Sequence, residues 1–600
     1  MLLLAALFSL LALETAENPD WASIAPEYLR YAYGMTLAAM ASLYFLGVRR
    51  GVFPALLSVV YLVFGAVQNF LDHFKNAAFL PSDIMAWQTA AAVSGGYTFT
   101  VDGSLMRAIA FAAIALCCLA FVLPVKHPSM GAGRRTAGTI GCLACAAVLA
   151  GGLYANVTTV DYQEKFDIRL NYWDLRNSYH KHTFLIAFTA AAQDLQIDMP
   201  EGYTDEGAES LQRELATRYD REYGSAYASA RKQFAEQRPN VIAVMNETYA
   251  DLSVFEKLHD GYHGTYVTRE LARDKGNLVS GNANMSVHGG GTCNSEYEFL
   301  AQSSMEFIGR GMYPYQQFHL SDVDAMPRMF RTIGYATYGI HPNFPGNWNR
   351  EFVYTALGLD KSFFIYDFDG ARTFHGKVSD GATYDKALAL LRENDDPTLV
   401  VDITMQNHGG YSSGSIPPDR LTHVQPDFGT ADDTAQLNEY LSCIQASDED
   451  LKEFLNQLRD FDEPVAVVFF GDHQPSISKT VNDEVFPNET ERDHAVRIMK
   501  TPYFIWTNYQ VAGVKATSGL ESSPGFLAAQ LSETIGAPLS DYQKAMLVLH
   551  HDVLAVNVNG YEDAAGTWHD PNDEGQTNPH FREAFEQLQV LHYLNVVRKL

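Results

Sequence analysis

Apolar residues fall along this chain in two rhythms. In the first quarter they form unbroken runs, Leu29–Val48, Val52–Phe70, Leu105–Val125 and Thr136–Ala155. Each approaches the roughly 20 residues a helix needs to cross about 30 Å of hydrocarbon, so these runs are expected to span a membrane. Leu2–Leu13 is a fifth, shorter run with no preceding Lys or Arg to mark a signal peptide, and we expect it to belong to a first span. After Pro239 the rhythm changes. Short β-rich runs recur at Val241–Met245, Ala336–Ile340, Thr398–Thr404, Val465–Phe470 and Tyr503–Thr507. Helical stretches lie between them, at Glu296–Phe307, Tyr384–Glu393, Thr434–Leu458 and Gly525–Ile535. Such alternation predicts a mainly parallel sheet covered by helices, with the working residues at the carboxyl ends of the strands.

Between the two rhythms the chain is polar but patterned. Phe166–Leu195 interleaves Tyr172, Trp173, Tyr179, Phe184 and Phe188 with Arg and Lys, as expected of a helix at a lipid–water boundary. Glu206–Gln237 reads as one charged helix ended by Arg238-Pro239. Three parts follow: a helical membrane domain of about five helices over residues 1–155, an interfacial linker over 156–238 and an α/β domain over 239–600.

Charge sharpens this division. Residues 1–156 carry 8 basic and 7 acidic side chains, whereas residues 157–600 carry 35 and 64. The near-neutral first quarter excludes a purely soluble protein. The acidic remainder offers no basic surface for nucleic acid. Arg49 and Arg50 lie in one short loop; Lys126, Arg134 and Arg135 lie in another, two crossings on. The positive-inside rule makes that face cytoplasmic and puts everything after Ala155 outside. Six cysteines exclude a disulfide scaffold, and no CxxC pair in the polar part frames a zinc site.

Four polar clusters follow or cap the β-rich runs. Asn246-Glu247-Thr248 places a carboxylate at a strand end, where it can bind a metal. Gly289–Asn294 sets three glycines before Thr292, allowing close backbone approach and placing a hydroxyl at the positive end of a helix. Asp472-His473 supplies two ligands of borderline hardness for Mn²⁺ or Zn²⁺. Trp348-Asn349-Arg350 and Asn407-His408-Gly409-Gly410 add an Arg that can grip phosphate and a His that can move a proton. Together they suit a one-metal site with an activated alkoxide, since a free hydroxyl is a poor nucleophile.

These residues resemble the lipoteichoic acid synthase family of membrane phosphoglycerol transferases, in the sulfatase/alkaline phosphatase superfamily. The most specific stretch is Gly289–Leu300, which is similar to the family's nucleophile motif. The resemblance implies a multi-pass protein of the bacterial cell membrane with a sulfatase-like extracytoplasmic domain. It implies Thr292 as nucleophile and metal ligand, and Glu247, Asp472 and His473 as the other ligands of one divalent ion, usually Mn²⁺, with Mg²⁺ or Zn²⁺ as options. Trp348, Arg350 and His408 would hold the glycerol phosphate group. The implied donor is phosphatidylglycerol, and the acceptor a polyglycerolphosphate chain, a glycolipid or a glycan. Cys293 stands where a small residue such as Ala is expected, leaving a Cys293–Cys443 bond open. A phosphoethanolamine transferase is the alternative with a similar core; a sulfatase would need a Cys-x-Pro-x-Arg context that is absent.

Overall fold

The computed structural model describes residues 1–75, 78–84, 100–122, 132–166, 168, 175–193, 197, 199–254, 262, 264–309, 311–571 and 578–600. Lys126, Tyr172 and Trp173 lie outside these described residues, as do parts of Leu105–Val125 and of the loop that precedes it. The described residues form two compact units, one reaching Gln193 and one starting at Ile197.

The first unit contains long helices at Leu2–Glu17, Pro26–Leu46, Val52–Lys75, Gly103–Ala120 and Ala132–Thr159. Among the described residues, three segments are long and apolar enough to cross a membrane: Val52–Asp72, Gly103–Ala120 and Gly133–Thr159. The stretch expected at Leu29–Val48 forms the 21-residue helix Pro26–Leu46, with Glu27 in its first turn and Arg30 just beyond. Large apolar side chains such as Val52, Leu56, Ile140 and Val148 point outward. The interior is threaded with polar pairs: Ser9 Oγ donates to Ser58 Oγ at 2.8 Å, and the Thr36 and Tyr61 hydroxyls lie 3.2 Å apart. The short apolar helix Phe184–Gln193 is buried against Leu13, Tyr61 and Phe79. Its first N–H donates to both carboxyl oxygens of the buried Glu14, each at 3.2 Å, which supplies the acceptor that a helix start lacks.

The second unit is α/β. Its main sheet has eight strands: β1 (Asn240–Asn246), β2 (Asn277–Asn284), β3 (Ala336–Ile340), β4 (Lys361–Phe363), β5 (Thr398–Ile403), β6 (Val465–Gly471), β7 (Lys500–Thr507) and β8 (Thr517–Ser522). Their order is β8-β2-β7-β6-β1-β5-β3-β4. All pairings are parallel except the two made by β7, which runs against β2 and β6. Every residue of β1, β5 and β6 is buried, which is why these strands read as continuous apolar runs rather than as alternation. Ile242, Val244, Val400, Val467 and Phe469 pack in one core with Tyr440, Leu441, Leu451 and Leu455 of the helix Ala431–Arg459.

The charged stretch expected as one helix is two, Asp205–Glu222 and Ala228–Gln237. Gly224 N–H returns to Tyr219 O at 2.9 Å and closes the first, and a helix-breaking glycine there outweighs the charged pattern on either side. Cys293 and Cys443 are both free and buried, so the question of a bond between them is answered.

Candidate active site

The sheet delivers one polar group after another to the carboxyl ends of its central strands. Glu247 follows β1 directly and is 2% exposed. Asp472 follows β6, whose last residue, Gly471, has no room for a side chain because Tyr249 O would lie 1.8 Å from a Cβ. Between these strand ends stands the start of the helix Thr292–Ala301. Gly289, Gly290 and Gly291 all take positive φ (65°, 146° and 89°), and a Cβ on Gly289 would meet Ser476 Oγ at 2.4 Å. The loop therefore closes on the Asp472 segment in a way only glycine permits. Ser295 Oγ then donates to Asp472 O at 2.7 Å and fastens the helix to that segment.

The helix expected to open at Thr292 and run through Glu296–Phe307 does start at Thr292, but it stops at Gln302, in the left-handed region at φ 55°. Gly291 occupies the cap position, so the Thr292 hydroxyl does no capping. It donates instead to Glu247 Oε2 at 3.2 Å.

Glu247, Asp472 and His473 have ligand atoms that all lie within 4.8 Å of one another. His473 Nε2 is 3.3 Å from Asp472 Oδ2 and 3.5 Å from Glu247 Oε1. Its Nδ1 lies 2.9 Å from Gln474 O, which leaves Nε2 facing the two carboxylates. Asp472 Oδ1 accepts from Thr248 N at 2.6 Å, whereas Asp472 Oδ2 and His473 Nε2 are buried without a hydrogen-bond partner. Burial and the neighbouring Glu247 push the Asp472 carboxyl up to about 7. Burial would raise Glu247 too, but His408, His473 and the Thr248 and Thr292 hydroxyls outweigh it and hold Glu247 below the usual carboxylate range. Like charges this close do not both ionise readily, so the two carboxyls divide the roles. Two orphaned ligand atoms aimed at one point, beside a charged carboxylate, fit a divalent cation.

Arg350 is reached by an unusual turn. Trp348 and Asn349 are both left-handed, at φ 54° and 58°, a conformation that costs a bulky residue of order 1–3 kcal/mol. Trp348 packs beside Tyr313, ring centroids 4.9 Å apart. Arg350, 2% exposed, donates through Nε and Nη2 to Glu296, four residues along the helix from Thr292; the Nε distance to Oε1 is 2.9 Å. Tyr354 hydroxyl donates to the same carboxylate at 3.0 Å. Arg350 Nη1 makes no hydrogen bond among the described residues.

Of the residues expected here, Glu247, Thr292, Asp472 and His473 come together. His408, half-buried, is close enough for its charge to act on Glu247, and Arg350 is joined to the Thr292 helix through Glu296. The sequence reading missed three groups. Glu296 lies inside the quoted motif and one helical turn from Thr292, which was signal enough. His341 follows β3 as Glu247 follows β1; it is buried, with Nδ1 3.0 Å from Ile403 O and Nε2 without a partner. Asp380 carried no local signal. Its buried carboxylate accepts from Asn246 Nδ2 at 2.8 Å and from Ser447 Oγ. Asn407 donates to Asn246 Oδ1 and to Ser447 Oγ, at 2.9 and 2.8 Å. One network thereby ties the residue before Glu247 to the residue before His408.

The sulfatase family model matches residues 239–537. A Rhizobium meliloti (strain 1021) protein named for cyclic beta-1,2-glucan modification is 25% identical over 370 residues, 61% of this chain and 54% of its own length. Lipoteichoic acid synthase 2 of Bacillus subtilis (strain 168) is 25% identical over 290 residues, covering 46% of this chain and 41% of its own. The chain thus spans about half the length of these curated relatives. Among solved structures, the Streptococcus pyogenes phosphoglycerol transferase GacH, in complex with sn-glycerol-1-phosphate, superposes with a TM-score of 0.51 at 21% identity. That match covers 66% of this chain and 94% of the other, and it establishes a shared fold.

Proposed function

With residues 239–537 belonging to the sulfatase family, we propose that the chain is a metal-dependent phosphoglycerol transferase of the bacterial cell envelope. It moves glycerol phosphate from phosphatidylglycerol to an envelope acceptor. The observation that carries this reading is the Thr292 hydroxyl, 3.2 Å from the Glu247 carboxylate at the edge of the three-ligand cluster. The relatives named for lipoteichoic acid synthesis and glucan modification support an envelope acceptor. Arg49 and Arg50, after the helix Pro26–Leu46, and Arg134 and Arg135, in the first turn of the helix Ala132–Thr159 rather than in the loop before it, support a cytoplasmic face for those helix ends and an extracytoplasmic α/β unit.

Glu247, Asp472 and His473, with Thr292, would hold the cation, Mn²⁺ in the family this chain resembles. Bound there, a divalent cation supplies positive charge that acidifies a hydroxyl and offsets phosphoryl charge. Glu247 Oε2 orients the Thr292 hydroxyl and is placed to take its proton. Arg350 Nη1 and His408 address the phosphate oxygens, while Glu296 fixes the guanidinium so that its orientation is set before substrate arrives. Trp348 lines the glycerol position. Thr292 Oγ1 bonds to phosphorus as the bond from phosphorus to the diacylglycerol oxygen breaks, and the proton Glu247 accepted passes to that leaving oxygen, giving a glycerophospho-threonine and diacylglycerol. An acceptor hydroxyl then displaces Thr292, and the acceptor's proton ends on Thr292 Oγ1. Phosphoryl transfer of this kind is chiefly positioning and charge stabilisation.

Intact-mass spectrometry of the full chain with phosphatidylglycerol and Mn²⁺ tests the reading. A glycerophosphate adduct on Thr292 is expected, together with diacylglycerol release. Release at the wild-type rate by Thr292→Ala would sink it.

A further inference from the structure

A tight hairpin turns its tip into the protein beside the His408 segment. Thr373–Phe374 pairs antiparallel with Lys377–Val378, and the two residues between them, His375 and Gly376, both take positive φ, 51° and 71°. This is the backbone of a two-residue hairpin turn, which histidine enters more readily than most side chains with a Cβ. Such tips usually face water. Here Gly376 is exposed, but His375 is only 6% exposed. Its Nε2 lies 3.2 Å from Oε1 of the equally buried Glu439, and its ring stacks on that of Tyr411, centroids 5.7 Å apart at 17°. Ser413 Oγ donates to the same Glu439 oxygen.

These contacts bracket His408 from both sides. Before it, Gln406 Oε1 accepts from Asp380 N at 3.2 Å, and Asn407 is tied to Asn246 and Ser447. After it, the Tyr411 hydroxyl reaches back to donate to Asn407 O at 2.5 Å and closes Asn407–Tyr411 into a loop. Gly409 and Gly410 lie within that loop, Gly410 at φ 108°. Two glycines leave the backbone beside His408 many conformations unless the far end is held. Tyr411 is that far end, and its ring is held by the stack on His375 and, edge to face, by Tyr440 at 5.3 Å. Asp380 opens the helix that follows the hairpin, so one stretch of chain reaches both sides of the His408 segment.

We propose that His375 is a positioning residue which, through Tyr411, presets His408 against the phosphate group. This rests on the phosphoglycerol-transfer reading above, in which His408 addresses the phosphate oxygens. His375 itself touches no substrate. A group fixed in advance spends nothing on reorganisation as charge develops, so loosening it is felt in kcat.

The test measures diacylglycerol release from phosphatidylglycerol by the full chain in nanodiscs with Mn²⁺. His375→Ala should lower kcat about tenfold while the donor KM changes less than about twofold. Tyr411→Phe keeps the ring, deletes only the hydroxyl, and should also lower kcat. In a His408→Ala background each of these substitutions should cost less than about twofold, because residues that act through one another do not add. The same loss in both backgrounds would make His375 structural and overturn the proposal, as would an unchanged kcat in either single variant. Amide hydrogen exchange gives a readout that needs no turnover. Exchange over Asn407–Tyr411 should quicken about tenfold in His375→Ala and keep its wild-type rate around Asp472; an unchanged rate over Asn407–Tyr411 would overturn the proposal too. If the wild-type protein releases no diacylglycerol, the transfer reading fails, and the exchange rates by themselves decide whether His375 sets this segment.

Discussion

The two units solve opposite problems with the same residue types. The N-terminal unit shows Val52, Leu56, Ile140 and Val148 to its surroundings and hides small polar pairs such as Ser9 with Ser58. The α/β unit buries its Val, Ile and Phe in the sheet and exposes few large apolar groups. Its buried carboxyls include Glu247 and Asp472, each directly after a strand, and Asp380 at the start of the helix Asp380–Glu393. The lesson is that a buried polar side chain means different things in the two halves. In a helical unit made for hydrocarbon it is glue between helices. In a water-facing α/β domain an unpaired buried carboxyl costs stability, and its position at a strand end points to chemistry.

The strongest test of that contrast is Thr292→Ala. If the strand-end cluster exists for chemistry, transfer should fall about 10⁴-fold or more with the melting temperature nearly kept. A large loss of stability instead would make the cluster structural.

Glu298 offers the next. This fully buried carboxyl is pushed up to about 7 by burial, against an ordinary 4.5, while Ser286, Ser304 and the Met305 N–H pull it down. Its folded pKa lies above the unfolded one, so the folded state holds the proton more tightly. Stability is fully present below about pH 4.5 and is lost as pH rises towards 7, by about 3 kcal/mol at most. Thermal unfolding across that window should show the slope, and Glu298→Gln should reduce it by one group's share, since Asp380, Asp448 and Asp472 are raised by burial over the same range.

Asp380→Ala removes the acceptor that joins Asn246 to Ser447. Metal affinity measured by calorimetry should fall about tenfold, as for other groups that orient ligands without touching the ion. Unchanged affinity would mean that the Asn246–Asn407 link alone holds Glu247.

Smallest of all should be Ser58→Ala, which deletes the Ser9 hydrogen bond in the helical unit. A cost of about 0.6 kcal/mol is expected for a polar pair in a membrane bundle. A cost several times larger, from unfolding in mixed micelles, would remove the contrast between the two units.

The sequence disclosed the fold where burial is two-sided. β3 coincides with its expected run, and β1, β5 and β6 differ from theirs by a residue or two at most, because central parallel strands are apolar throughout. It did not disclose β2 (Asn277–Asn284) or β8 (Thr517–Ser522). Their polar, glycine-bearing sequences carry little strand propensity, and they form only through pairing with each other and, for β2, with β7. The metal cluster was legible because each member directly follows an apolar strand or a glycine run. Asp380 was not, since it meets Asn246 only across 134 positions of chain. Nor was the fate of Arg350, whose partner Glu296 depends on the left-handed turn at Trp348 and Asn349.

That buried ion pair carries a consequence for how such a chain can diverge. Replacing either Arg350 or Glu296 alone strands a charge in the interior, at a cost of about 3–5 kcal/mol, whereas exchanging both for apolar groups of similar volume is often tolerated. The two positions are therefore a single hereditary unit. In an alignment of relatives they should be kept or lost together, and a chain that has lost both would retain the sheet while giving up the guanidinium that Glu296 holds one helical turn from Thr292.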